Sequence, residues 1–350
     1  EFPEIDAVVG IAKNDDIVEI INSVMLDRRV ITFGDKLCHN MEGDKLQSTL
    51  PHYAYLRIAD GCSNKCSYCA IPLIRGKMRS RKMENIIEEA KKFAENGVKE
   101  LVIVAQDVTA YGIDLYKKYA LPDLLKQLCK IDGIKWIRLL YCYPERMTDE
   151  LIETIKTEDK VLNYIDIPIQ HCNKEILRNM YRGGDEQSLR ELFAKLRREI
   201  PGVVLRTTLI TGFPGETEEQ FSELAEFVND IKFERLGCFA YSAEEDTPAA
   251  EMPDQVDEGE RQRRADIITG EQEIRMGEYY AGMVGNTYEV VCEGFDRYSD
   301  MYFGRSMHFA PEIDGMIYFT STKEKRPVIG DFINVKITDV LENNLLGEQV

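Results

Sequence analysis

The chain has 350 residues, which is enough for two domains or for one large α/β domain with an appendage. Its 62 acidic and 44 basic residues leave a net charge of −18, which argues against non-specific attraction to a nucleic-acid backbone and fits a basic protein partner better. The sequence has no run of about 18 apolar residues and no signal-peptide pattern, so it predicts a cytoplasmic protein without a membrane segment.

Residues 1–50 have little regular pattern. One helical stretch, "DDIVEIINSVM", is followed by a segment without periodicity that is typical of a linker. Taken alone, this segment could not bury much apolar surface, so we expect it to be the end of a larger domain.

From Tyr53 onward, apolar β-rich runs alternate with amphipathic helical stretches. The strand-like runs are "YAYLRIA", "ELVIVAQ", "WIRLLYC", "YIDIPIQ", "VVLRTTLIT" and "RLGCFAYS". Six strand and helix units over about 200 residues predict a partial parallel (β/α)6 barrel, two units short of a full eightfold barrel. Within it, "TEEQ" at 217–220 matches a capping box.

A long charged helix over 260–283 ends this alternation, and short strands with turn residues between them follow. Such strands predict a small antiparallel β-barrel. The sequence therefore predicts an N-terminal remnant with a linker over 1–50, a barrel domain over 51–278 and a β-barrel domain over 279–350.

Three of the nine cysteines cluster in "GCSNKCSYCA", with the spacing Cys-x3-Cys-x2-Cys, directly after the first strand of the barrel. Loops at that end of the strands build the active sites of α/β barrels. Three thiols without a fourth suggest an open metal site at Cys62, Cys66 and Cys69. The competing interpretation is a zinc knuckle completed by His52 or by a distant cysteine. Isolated cysteines are usually small buried hydrophobes.

Polar residues also follow other strands. Gln106 and Asp107 end the second strand, and Gln170 and His171 end the fourth. His171 could equally be a hydrogen-bonded core residue. Arg206 lies inside the fifth strand, where a buried guanidinium needs an anionic partner and a cofactor carboxylate would be suitable.

The motifs "ADGCSNKCSYCAIPLIRG", "DIPIQH" and "ITGFPGET", followed by a small β-barrel, resemble the radical S-adenosylmethionine (SAM) methylthiotransferase family in this order. The final barrel resembles that family's TRAM domain, an OB-like fold. The resemblance implies that the three cysteines hold a 4Fe-4S cluster whose open iron binds SAM. It also implies that Tyr68 lies by the adenine, that Gln106 and Asp107 contact the methionine amine, and that Gln170 and Arg206 bind the cofactor.

Two branches of the family compete. RimO-like members modify an aspartate of the small-subunit ribosomal protein numbered twelve, and MiaB-like members modify an adenosine in tRNA. The stretch "FAPEIDGMIYF" resembles the RimO form. Residues 281–350 contain 11 acidic and 6 basic residues, and this negative balance suits a basic ribosomal protein better than RNA. The tRNA enzyme and a zinc-bound interaction module remain the alternatives.

The resemblance further implies a second 4Fe-4S cluster, held by three cysteines of an N-terminal domain. Residues 1–50 contain only Cys38, so we expect those ligands upstream of residue 1. The reaction would be hydrogen abstraction from the aspartate β-carbon followed by transfer of a methylthio group. An electron donor such as flavodoxin or ferredoxin would take part, and the ribosome itself could carry the substrate.

Overall fold

Residues 3–38, 41–43, 46–322 and 326–350 are described by a computed structural model of the chain. The N-terminal part contains two short parallel strands, β1 (Ala7–Val9) and β2 (Val30–Thr32), joined through helix α1 (Ile17–Val24). The sequence predicted the helix but missed both strands, because three residues are too few to show an alternating pattern.

The next region alternates strands and helices as predicted. Its elements are β3 (Tyr53–Arg57), β4 (Ala59–Asp60), α2 (Ile71–Arg75), β5 (Arg79–Ser80), α3 (Met83–Glu95), β6 (Glu100–Val104), α4 (Leu121–Leu128), β7 (Trp136–Leu139), α5 (Asp149–Thr157), β8 (Val161–Asp166), α6 (Lys174–Asn179), α7 (Glu186–Glu199), β9 (Val204–Thr211), α8 (Glu218–Ile231), β10 (Arg235–Ala240) and α9 (Glu258–Met283).

Within the described ranges, six of these strands form one parallel sheet in the order β10-β9-β8-β7-β6-β3. Each strand lies beside the one before it in the chain, which is the order of a barrel rather than of a doubly wound sheet. The outer face packs against the helices through a core that includes Leu56, Leu101 and Leu205. The carboxyl ends of all six strands therefore meet at one edge.

The last region is a closed barrel. Its strands are β11 (Thr287–Asp296), β12 (Met301–Arg305), β13 (Ile317–Thr320), β14 (Phe332–Leu341) and β15 (Asn344–Gln349). In the part of the chain that the structure describes, they close in the order β11-β12-β13-β15-β14, with antiparallel pairs except for β13 and β15. The partial (β/α)6 barrel followed by a small β-barrel is confirmed, although the sequence did not predict β15.

The small barrel covers part of the inner face of the sheet. Val291 and Ala310 of the small barrel pack against Tyr53, Trp136 and other buried side chains of the sheet. Helix α9 contributes to both cores and runs unbroken across the predicted boundary at 278, so the predicted domain boundaries stay predictions. None of the described helices combines the length and apolar character needed to cross a membrane.

Candidate active site

A cavity of about 510 Å³ opens at the carboxyl ends of the sheet strands. That volume is in the range of small-molecule sites. All three clustered cysteines line the cavity, together with residues from the ends of β3, β6, β8 and β9. The sequence-predicted residues in the lining are Cys62, Cys66, Tyr68, Cys69, Gln106 and Gln170.

The cysteine loop leaves the sheet through a tight turn at Gly61. Its φ of +72° is in the left-handed region, and a Cβ there would lie 2.5 Å from the carbonyl oxygen of Lys77. The Cys62 amide donates to the carbonyl of Gly76 at 3.2 Å, where the chain returns. Strands β4 and β5 pair as antiparallel neighbours and close the base of the loop. Glycine is therefore required for the loop to double back at this point.

Polar contacts hold the loop against the sheet edge. The Asn64 amide donates to Asp107 at 3.0 Å, and Arg146 donates to both Asp107 and the Asn64 carbonyl oxygen. On the other side, the Ser67 hydroxyl donates to the carbonyl of Asn179 at 2.7 Å. These contacts fix the loop between the ends of β6 and α6.

The three thiols face the cavity in a half-buried setting. Burial raises the pKa of Cys62 to about 11, and the Asp107 carboxylate and the two other sulfurs contribute to the rise. Burial also raises the pKa of Cys69. A thiolate at these positions needs a nearby positive charge, which a bound metal group supplies.

Tyr68 and Arg182 form one wall of the cavity. The Arg182 guanidinium lies over the Tyr143 ring, 4.2 Å from its centroid, and donates to the carbonyl of Pro168 at 2.8 Å. Its other nitrogen lies 3.5 Å from the Tyr68 hydroxyl. Two aromatic rings and a fixed guanidinium thus provide a flat, partly cationic surface beside the thiols.

Two glutamines line the cavity. The Gln106 Oε1 atom is buried and has no hydrogen-bond partner among the described residues, which is costly unless a ligand donates to it. Gln170 has a φ of +71°, and Tyr141, also in the lining, has a φ of +62°. Such strain in residues other than glycine is common at binding sites.

Asp107 and Arg206 do not line the cavity. Asp107 is buried and accepts from the Thr109 hydroxyl at 2.5 Å as well as from the loop contacts above. Arg206 pairs with Asp166 at 2.7 Å, because the register of β8 and β9 places the two residues opposite each other. The anionic partner of Arg206 is therefore a protein carboxylate. The cofactor roles of both residues stay predictions, and their contacts indicate positioning.

The two histidines considered from the sequence lie elsewhere. His171 is fully buried, and its Nδ1 accepts from the Asn173 amide at 2.9 Å. Burial, assisted by Arg264, lowers the pKa of His171 to about 3, so it is neutral at physiological pH. His52 contacts Glu293 at 3.0 Å and is absent from the cavity lining, so it does not complete a zinc site with the three cysteines.

Comparison with known proteins agrees with this geometry. The family model described as the radical SAM superfamily matches residues 56–228, and the TRAM domain model matches residues 284–350. The ribosomal protein uS12 methylthiotransferase RimO of Caldanaerobacter subterraneus subsp. tengcongensis is 48% identical over 349 residues. The match covers 99% of this chain and 79% of that protein. The protein of the same name from Clostridium botulinum is 48% identical over 348 residues, covering 99% of this chain and 77% of the relative.

The chain belongs to the RimO family of radical SAM methylthiotransferases. Neither the tRNA enzyme nor the zinc-bound module is favoured by these relatives. Among solved structures, coproporphyrinogen III oxidase of Escherichia coli, a radical SAM enzyme, aligns with a TM-score of 0.47. Its sequence identity is 18%, and the alignment covers 67% of this chain and 54% of that one.

RimO membership implies a 4Fe-4S cluster and SAM, and the cavity residues fit that pair. In the described ranges, no three His, Cys, Asp or Glu side chains converge at the distances that a single metal ion requires. The three thiols nevertheless share one cavity, which suits a cluster because each ligand then binds a different iron atom. The unpartnered Gln106 oxygen suits an ammonium group such as that of SAM.

Sequence reasoning missed several residues of this RimO-family site. Arg57, Tyr141 and Arg182 line the cavity, and Arg146 holds the cysteine loop. Arg57 could have been found, because a charged residue inside an apolar strand is unusual. Arg182 lies in a polar stretch rich in glycine, where the sequence carries no distinguishing signal.

Proposed function

We propose that this chain is a uS12 methylthiotransferase that adds a methylthio group to the β-carbon of an aspartate in that ribosomal protein. The observation that carries the proposal is the cavity that the three clustered cysteines line at the carboxyl ends of the strands, in a chain of the RimO family. The acidic balance of residues 281–350 agrees with a basic protein substrate.

In this proposal Cys62, Cys66 and Cys69 hold the 4Fe-4S cluster as thiolates, and binding releases their protons. When bound, the cluster supplies the electron that cleaves SAM into methionine and a 5′-deoxyadenosyl radical. The protein's own contribution is binding, orientation and exclusion of competing reactions. Gln106 would accept from the SAM amine, and Tyr68, whose hydroxyl lies 3.5 Å from Arg182, would pack beside the adenine.

The remaining assignments follow from the same proposal. A second cluster would carry the sulfur that is transferred, and no second motif with three close cysteines occurs between residues 1 and 350. A small redox protein such as flavodoxin or ferredoxin would supply electrons, and action on a ribosomal protein would take place in the cytoplasm.

The first experiment measures iron, sulfide and zinc in protein reconstituted without oxygen, followed by addition of dithionite and SAM. We expect about four irons at the three-cysteine site and formation of 5′-deoxyadenosine. The Cys66→Ala variant should lose both the cluster absorbance and SAM cleavage, whereas Cys292→Ala, which changes a cysteine in the small barrel, should keep both. Zinc without iron in the wild-type protein would contradict the proposal.

The substrate is tested with the full-length holoenzyme. Mass spectrometry should detect addition of one methylthio group to a uS12 peptide containing the target aspartate, and none to tRNA. Modification of tRNA alone would instead support the MiaB-like alternative.

A further inference from the structure

Among the described side chains of Asp, Glu, Lys and Arg, only arginines line the cavity. Arg57 and Arg182 belong to the lining, and no described Asp or Glu does. The chain as a whole carries a net charge of −18, so a cavity lining that has two arginines and no described Asp or Glu departs from its overall composition. Cations in a half-enclosed site favour ligands with carboxylate or other anionic groups.

Arg182 is fully engaged by the protein. It donates to the carbonyl of Pro168, stacks on Tyr143 and approaches Tyr68. These contacts fix the guanidinium on the side of the cysteine loop. Its charge therefore contributes to the wall beside the proposed cluster rather than to a distant part of the cavity.

Arg57 is different, because its guanidinium has no hydrogen bond and no ion pair with any residue that the structure describes. Arg57 is the last residue of β3, in register with Val104 of β6, which also lines the cavity. Alternation along β3 places Arg57 on the same face as Tyr53 and Tyr55, the inner face of the sheet. The side chain is half-buried.

Other arginines of the sheet's inner face have protein partners. Arg138 pairs with Glu100 at 2.7 Å, and Arg206 pairs with Asp166 at 2.7 Å. A partly buried cation without a partner is unfavourable, so its retention at a cavity wall indicates a ligand that supplies the missing anion.

We propose that Arg57 binds the side-chain carboxylate of the substrate aspartate and thereby determines the specificity of the enzyme for aspartate. This inference rests on the proposed function. The reacting β-carbon is bonded directly to that carboxylate, so a guanidinium that holds both carboxylate oxygens also fixes the position of the β-carbon. Asparagine and adenine lack the negative charge, and either one would leave Arg57 unpaired.

The carboxylate of SAM has the same chemistry and is the competing ligand for Arg57. The SAM carboxylate and the aspartate carboxylate are distinguished by measuring the affinity of the enzyme for SAM and its affinity for the peptide separately. The experiment uses the full-length holoenzyme, wild type and Arg57→Gln, with a uS12 peptide containing the target aspartate and the same peptide with asparagine at that position. Arg198→Gln is the matched control, because it removes an equal charge from a side chain that is 66% exposed on helix α7.

We expect the wild-type holoenzyme and Arg198→Gln to bind the aspartate peptide at least about tenfold more tightly than the asparagine peptide. Arg57→Gln should bind the two peptides with similar affinity, and Arg57→Lys should recover only part of the preference because lysine lacks the bidentate fork. Iron content and circular dichroism verify that each variant is folded and loaded.

Three outcomes would overturn the inference. Arg57→Gln could retain the aspartate preference while its Kd for SAM rises tenfold, which would assign the guanidinium to the SAM carboxylate. It could weaken both peptides equally, which would indicate a packing role. If the wild-type holoenzyme neither bound nor modified the aspartate peptide, the proposed function itself would fail, and this inference with it.

Discussion

Asp166 supports the cavity wall without lining it. One carboxylate oxygen accepts from Arg206 at 2.7 Å, and the other accepts from the backbone amide of Tyr141 at 2.9 Å. Tyr141 has a left-handed backbone and lines the cavity. Burial raises the pKa of Asp166, while Arg206 and the Tyr141 amide oppose that rise. The Asp166 carboxylate thus holds the backbone of Tyr141 beside the ion pair that joins β8 and β9.

The substitution Asp166→Asn tests this arrangement. It leaves the Arg206 charge without its partner, and we expect the free energy of unfolding to fall by about 2–4 kcal/mol, measured by urea denaturation. Asp149→Asn is the control, because that carboxylate is 90% exposed in its pair with Lys195. An Asp166→Asn variant as stable as the wild type would show that the ion pair does not support the sheet.

At the scale of single residues, the sequence predicted which side chains lie at the cavity better than it predicted the side chains that they contact. The three cysteines and Gln106 were predicted from their places after strands, and all four line the cavity. The partner of Arg206 could not be predicted, because it depends on the register between two strands that are far apart along the chain.

Among the elements, helix α8 follows its sequence signal closely. The Thr217 side chain accepts from the amide of Gln220 at 3.3 Å, and the Gln220 side chain accepts from the Thr217 amide at 3.0 Å. This confirms the capping box predicted from "TEEQ". Local signals of this kind need no tertiary information, since both partners lie within four residues.

Thr217→Ala should lower the free energy of unfolding by about 1 kcal/mol, because the Gln220 amide in the first turn of the helix loses its side-chain acceptor. Thermal and urea denaturation provide the measurement. Ser222→Ala in the same helix is the control: its hydroxyl only donates back to the carbonyl of Glu218, and we expect a change of at most about 0.5 kcal/mol. Equal losses in the two variants would contradict the capping role.

At the scale of the whole molecule, buried charges join the sheet to the small barrel. Glu100 at the start of β6 contacts Arg138 at 2.7 Å and Arg305 of β12 at 2.8 Å. Arg305 also contacts Glu293 at 2.8 Å, and Glu293 contacts His52. Every one of these side chains is at most 5% exposed. At the interface between the sheet and the small barrel, these charged groups therefore contact one another instead of water.

This network predicts a specific dependence on pH. Burial opposes ionisation of Glu100, but Arg305 and Arg138 outweigh it and lower its pKa to about 2, from an ordinary value of 4.5. A carboxylate with a lowered pKa stabilises the folded state above pH 4.5, and this stabilisation is lost as the pH falls from 4.5 toward 2. The pKa of Glu293 is also lowered, so its effect has the same sign.

Glu100→Gln tests the prediction. The variant should be less stable than the wild type at pH 7 by about 3–5 kcal/mol, because two buried guanidinium groups lose a carboxylate. Between pH 4.5 and pH 2 the free energy of unfolding of the variant should fall less steeply than that of the wild type. The difference between the two slopes should be up to about 1.4 kcal/mol per pH unit. The exposed Glu95→Gln is the control and should be as stable as the wild type at pH 7. An unchanged slope in Glu100→Gln would show that Glu100 does not titrate with unfolding.

The sequence by itself determined the alternation of strands and helices, the capping of α8, the position of the three-cysteine loop and the family. These follow from local periodicity and from short motifs in a fixed order along the chain. Only the tertiary structure decided that Arg57 and Arg182 share the cavity with the cysteines, that Asp166 neutralises Arg206 and that Glu100 joins the sheet to the small barrel. The physical reason is that such contacts depend on strand register and on packing between distant segments, which short-range periodicity does not encode.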